Sequence, residues 1–236
     1  MLNVLAAERM KLKRDRLLIV CTVTAILLPV MTLGGGANGV PPLGFIFRLQ
    51  MMFQLCVYPV LSGFIITFLM QKEYGDLTII SLLTAPVSRM KFLLGKLTVW
   101  FIWHMAVTAA FLIISCAGVY GLCGRAEFIG VLPFAVKGIL TTGIFNFGTL
   151  LPAAWIAVLQ RKMYYPSLLY TLAVTMLGFA GLLQPGLLGS VMPWSAVLLL
   201  IMPGDEVFIG AAYTSIALCA SVGFVLAAYS FKKQEL

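Results

Sequence analysis

The sequence predicts an all-α membrane protein with six transmembrane helices and both termini in the cytoplasm. Three observations carry that expectation. Of its 236 residues, 61% are apolar and only 10% charged, too few polar side chains to cover the surface of one water-soluble domain. Six apolar runs come near the roughly 20 residues that a helix needs to cross about 30 Å of hydrocarbon. The basic residues gather at alternate ends of those runs, the pattern of short cytoplasmic loops that retain Lys and Arg.

Taken in order, residues 1–16 read as an interfacial N-terminal helix, with Leu2, Leu5, Ala6, Met10 and Leu12 toward lipid and a dense basic second half on the head groups. A plain stop-transfer flank fits the same residues. The first span, 17–33, is longer than the apolar core of a signal peptide and lacks a small-x-small cleavage site, so it is expected to be retained. Gly34 to Gly36 and Pro41-Pro42 mark the first outer loop. The second span is expected over 51–70, and a charged loop, 71–96, follows it. Within that loop Asp76 can cap the free amides of a short helix on which Leu77, Ile80 and Thr84 share one face and Ile79, Leu82 and Leu83 another. Pro86 ends it. Apolar content in a loop flanked by Glu73, Asp76, Arg89 and Lys91 suits a helix that lies along the membrane and docks a cytosolic partner.

The remaining spans are expected over 97–123, 128–159, 166–183 and 207–231. Residues 187–202 are apolar but only 16 long, with Pro193 inside and Gln184-Pro185-Gly186 before. A crossing there would put Asp205 and Glu206 inside and Lys232 and Lys233 outside, against the charge rule. We therefore read 184–206 as a re-entrant outer hairpin pinned by Trp194. With the N-terminus inside, Arg9, Lys11, Lys13, Arg14, Arg16, Lys72, Arg89, Lys91, Lys96, Arg161, Lys162, Lys232 and Lys233 are cytosolic, thirteen of the sixteen bases. Arg48, Arg125 and Lys137 fall toward the outside. Residues 1–236 form a single transmembrane domain.

The net charge of +8 lies where anionic lipid head groups would meet it, so no nucleic-acid partner is expected. Five separate cysteines carry no metal spacing. His104, the sole histidine, sits beside Trp100 and Trp103 and reads as a packing residue; no metal site can be built from it. Lys137 either snorkels outward or lines an outer cavity. Gln54, Asn146 and Gln160 are either interhelical glue or polar points on a substrate path, to which His104 and Lys137 are added as candidates. No carboxylate lies inside a span, which argues against an ion-coupled transporter. No nucleophile has an evident base, so no catalytic residue is expected. Gly95-Lys96 lacks the glycine five positions earlier that a phosphate-cradling loop requires, so the chain should bind neither ATP nor Mg²⁺ itself.

Glu73, Thr78, Leu82, Leu83, Pro86, Ser88, Arg89, Gly95 and Lys96 fall in an order that resembles the cytosolic loop of ABC type-2 permeases. Glu8 with Lys11 and Lys13 before the first span is similar as well. One departure is Leu77, where members often carry Gly before the Thr. The resemblance implies a permease domain whose ATP and Mg²⁺ are held by a separate ABC ATPase subunit, docked on a coupling helix between spans two and three. The residues it implies for that contact are Glu73, Asp76, Thr78, Leu82, Pro86 and Arg89, with Arg161 from the next inner loop. It also implies a pair of membrane subunits, two copies or this chain with a related permease. The size is similar to the bacitracin and lantibiotic resistance or immunity branch, which implies export of amphiphilic antimicrobial peptides. A different class, a non-transporting membrane immunity protein that binds a peptide directly, stays open on the sequence.

Overall fold

The computed structural model describes residues 15–33, 40–75, 89–160, 163, 165–184, 186–201 and 207–233. Among them six helical stretches are long and apolar enough to cross a bilayer, the number expected. Leucine, alanine and β-branched runs adopt helix here because lipid offers no partner to a bare backbone. The first span is α1 (Arg16–Leu33). The second is a composite of α2 (Pro42–Leu49), a π-helical segment (Gln50–Val57) and α3 (Tyr58–Gly75). The others are α4 (Arg89–Cys123), α5 (Arg125–Leu159), α6 (Tyr165–Leu183) and, after two short helices, α9 (Ile209–Lys233).

Two boundaries differ informatively from expectation. Residues 42–50, expected as loop, are helical: Pro42 occupies the first turn, where its missing N–H is no loss. Helix α4 begins at Arg89 rather than at 97 because its charged first turns continue the helix beyond the apolar run. Helices α4 and α5 are each 35 residues, about 52 Å long at 1.5 Å per residue, and so reach past the hydrocarbon into the head-group layers. They are joined at Gly124, whose φ of 89° is a left-handed conformation that a Cβ would strain.

The second span is the centre of the bundle. Its most apolar stretch is 61% buried inside the protein, against 17% for the first and sixth spans. Phe53, Tyr58 and Phe111 form one ring cluster and Trp100, Phe101 and Phe147 another. Helix α9 lies most extensively along α5. At Gly223 a Cβ would stand 2.4 Å from the Pro152 nitrogen, so glycine is what lets these two backbones touch.

Residues 187–201 form α7 (Leu187–Val191) and α8 (Pro193–Leu199), broken at Met192 where Pro193 starts a new helix. At five and seven residues neither can cross a bilayer. The Ser195 hydroxyl donates to Gly189 O at 2.7 Å and folds the two together. Their buried face, Ala196 to Leu199, packs on α6 and α9. Of the interfacial helix expected over 1–16, all but Asp15 and Arg16 lie outside the described residues, as do the helix expected at 76–84 and the acidic residues Asp205 and Glu206; Arg16 opens α1.

Candidate functional site

Helices α3 and α4 enter and leave the segment 76–88, and their ends at that segment are tied by a buried charge pair. Glu73, in the last turn of α3, accepts from Lys96 Nζ at 2.7 Å, with both side chains only 2% exposed. The Lys96 ammonium also lies 5.3 Å from the centroid of the Phe92 ring. Charges taken this far from water persist only when geometry and partners are good, and losing one partner of such a pair costs about 3–5 kcal/mol. The contact therefore fixes the spacing of the two helices from which the segment hangs.

The other spans converge on the same end. Asp15 caps α1 through the Leu17 N–H at 3.1 Å and pairs with Lys72 at 2.6 Å, joining the first span to the second. The Gln71 amide donates to Gln160 O, and the Tyr74 hydroxyl donates to Val158 O at 3.3 Å, joining the second to the fourth. Gln160 Nε2 donates to Ser167 Oγ at 2.6 Å and its Oε1 accepts the Ser167 N–H, while Ser167 also meets Thr67 at 2.6 Å, which brings in the fifth. Arg89 donates to Lys232 O at 3.2 Å, above a stacked contact of Phe92 on Phe231, which brings in the sixth.

Of the residues expected to meet an ATPase subunit, Glu73 and Arg89 stand in this collar on α3 and α4. Asp76, Thr78, Leu82, Pro86 and Arg161 lie outside the described residues. Lys96 and the pair of Asp15 with Lys72 were not singled out as contact residues. The final Lys of the loop pattern was the available signal for Lys96; nothing local in the sequence says that it returns to Glu73, 23 positions earlier.

Deeper in the bundle, three of the five candidates for a substrate path meet along one stretch of α5: Asn146 lies on it, and Gln54 and His104 reach it from the second and third spans. Asn146 Nδ2 donates to Gln54 O at 2.7 Å, and Gln54 Nε2 donates to Ile139 O at 2.9 Å. His104 links three helices: its Nδ1 is 3.1 Å from Ser62 Oγ and its Nε2 3.1 Å from Gly143 O. The neutral ring satisfies both contacts when Ser62 donates to Nδ1 and Nε2 donates to Gly143, leaving the Ser62 oxygen to accept Trp100 Nε1 at 2.8 Å. All three are buried. Lys137 stands apart, exposed on α5. It lies about 33 Å along the helix from Leu159, so with Leu159 at one boundary of the hydrocarbon Lys137 is near the other, where its stem can snorkel.

Comparison with known proteins agrees with this architecture. Residues 4–178 match the ABC-2 family transporter proteins. The bacitracin transport permease protein BCRB of Bacillus licheniformis is 27% identical over 185 residues, which cover 75% of this chain and 84% of that relative. With six helices able to span, and a match that covers well over half of its length, the chain belongs to the ABC-2 transporter family as a multi-pass membrane permease.

Proposed function

We propose that this chain is the membrane subunit of an ATP-driven exporter in a bacterial plasma membrane, and that it clears amphiphilic antimicrobial peptides of the bacitracin kind. The observation that carries the coupling part is the pair of Glu73 with Lys96, which ties together the ends of α3 and α4 that segment 76–88 connects in the chain. Force applied to that segment from the cytosol reaches both helices at once. A separate ABC ATPase subunit binds ATP and Mg²⁺, and docks on Asp76, Thr78, Leu82 and Pro86, with Arg161 beside them. Two membrane subunits flank the path; the lightly buried first span and the exposed Leu169, Leu172 and Met176 of the fifth leave apolar faces for that pairing or for lipid. The substrate class rests on the relative whose name is a bacitracin transport permease.

The test is made in a susceptible host that expresses the chain with its ATPase. Arg89→Ala and the paired replacement Glu73→Gln with Lys96→Met are each expected to lower bacitracin tolerance while the amount of protein in the membrane stays unchanged. Full tolerance in both variants would sink the coupling role of this end. Co-purification from a mild detergent distinguishes the class: a retained ATPase whose turnover rises with bacitracin supports the exporter, whereas peptide binding with no ATPase attached supports a direct immunity protein.

A further inference from the structure

The π-helical segment of the second span ends at a residue that cannot continue it. In the π pattern each N–H reaches back five residues, and Tyr58 N–H does so to Phe53 O. The next donor in that pattern belongs to position 59, a proline, which has none. Gln54 O is thereby left without a backbone partner deep inside the bundle, where an unpaired carbonyl is costly. Asn146, on a different helix, puts its Nδ2 on that oxygen at 2.7 Å.

The α pattern reaches back four residues instead. In it Tyr58 N–H would serve Gln54 O, and the donor missing at Pro59 would leave Leu55 O open. Leu55, Pro59 and Asn146 line one small cavity, together with Thr149, Val174, Thr175 and Trp194; its free volume is about 10 Å³. That is about the least space that holds one water. An Asn146 amide released from Gln54 thus faces the space beside Leu55. In the same segment the Gln50 side-chain oxygen is buried without a hydrogen-bond partner.

We propose that Asn146 is a positioning residue that stands in for the N–H missing at Pro59, holding the second span in its π register and, by moving from Gln54 to Leu55, letting it pass to an α register with no net loss of hydrogen bonds. The second span would then rotate above Pro59 during transport while its lower part, clamped at Glu73, stays in place. The transport readout rests on the exporter reading; the pairing of Asn146 with the missing donor does not.

The experiment is a double-mutant cycle on the full chain in lipid nanodiscs: wild type, Asn146→Leu, Pro59→Ala and the double variant. Asn146→Leu is expected to lower Tm by about 3 °C when Pro59 is present. In the Pro59→Ala background, where the restored backbone N–H takes the carbonyl, the loss should fall to less than half. Equal losses in both backgrounds overturn the proposal. Should Pro59→Ala fail to assemble, Pro59→Leu restores the same N–H and closes the cycle. Pro59→Ala is also expected to keep or raise Tm while bacitracin tolerance falls toward that of cells lacking the protein, because a continuous α backbone removes the second register. A stable Pro59→Ala protein with wild-type tolerance overturns the register exchange. If wild type itself gives no tolerance, the exporter reading fails and the thermal cycle still decides the role of Asn146.

Discussion

Through the middle of the bundle the helices are joined by uncharged groups, Ser62, Trp100, His104, Gln54 and Asn146, whereas at the loop end they are joined by Glu73 with Lys96 and Asp15 with Lys72. The difference follows from where water is. In the hydrocarbon a full charge costs about 2.5–3.5 kcal/mol even on the lenient insertion scales, so the middle uses amides, hydroxyls and one imidazole. Such groups fix geometry and add about 0.6 kcal/mol per interhelical bond. At the loop end charges are tolerated because each has an opposite charge against it, Asp15 with Lys72 partly exposed and Glu73 with Lys96 buried, and a buried pair responds strongly to the loss of either partner. At the loop end the charge pair holds two helix ends as one unit on which a partner protein can act, while the neutral contacts of the middle join helices without a buried charge.

The largest expected effect breaks the charged side of this contrast. Lys96→Met takes from the buried Glu73 carboxylate the charge that faces it, and should cost about 3–5 kcal/mol in thermal or chemical unfolding of the purified chain. The double variant Glu73→Gln with Lys96→Met should recover most of that stability and little of the transport. A Lys96→Met loss no greater than that of an exposed pair, about 1 kcal/mol, would mean that the pair does not clamp the two helix ends. An intermediate effect is expected on the neutral side. Ser62→Ala removes the node shared by Trp100 and His104 and should cost about 1–2 kcal/mol with transport retained. If tolerance is lost while stability is kept, the middle of the bundle does more than hold geometry. The smallest effect is at Lys72, whose side chain is 27% exposed against 13% for Asp15. Lys72→Ala should cost no more than about 1 kcal/mol. Raising the salt concentration should weaken that contact in wild type and leave the pair of Glu73 with Lys96 nearly untouched, since screening acts on exposed charges. Equal sensitivity of both pairs to salt would erase the distinction between them.

The six spans were legible because apolar length is a property of the chain alone, and so was the shortness of the helices at 187–199, where Pro193 starts a new helix and neither piece is long enough to cross. Lys137 shows how far such reading extends. Its place in the sequence limited it to the outer part of the fourth span, and counting residues along α5 then set it near a boundary. The π-helical segment was not legible. Gln50, Gln54 and Pro59 are visible in the sequence, but the donor that meets Gln54 O in the wide turn, Asn146, comes from α5, 92 positions away. The pairing of Glu73 with Lys96 was half legible: both residues belong to the loop pattern, and their contact was not foreseen.

By itself the sequence determined the medium in which this protein folds, the number of span-length helices and which ends carry charge, since each depends on local composition weighed against the transfer of side chains and backbone between water and lipid. Only the tertiary structure decided which polar groups meet. Partner choice depends on helix rotation and close approach, as at Gly223 against Pro152 and His104 against Gly143, and these are set by the packing of all six spans together.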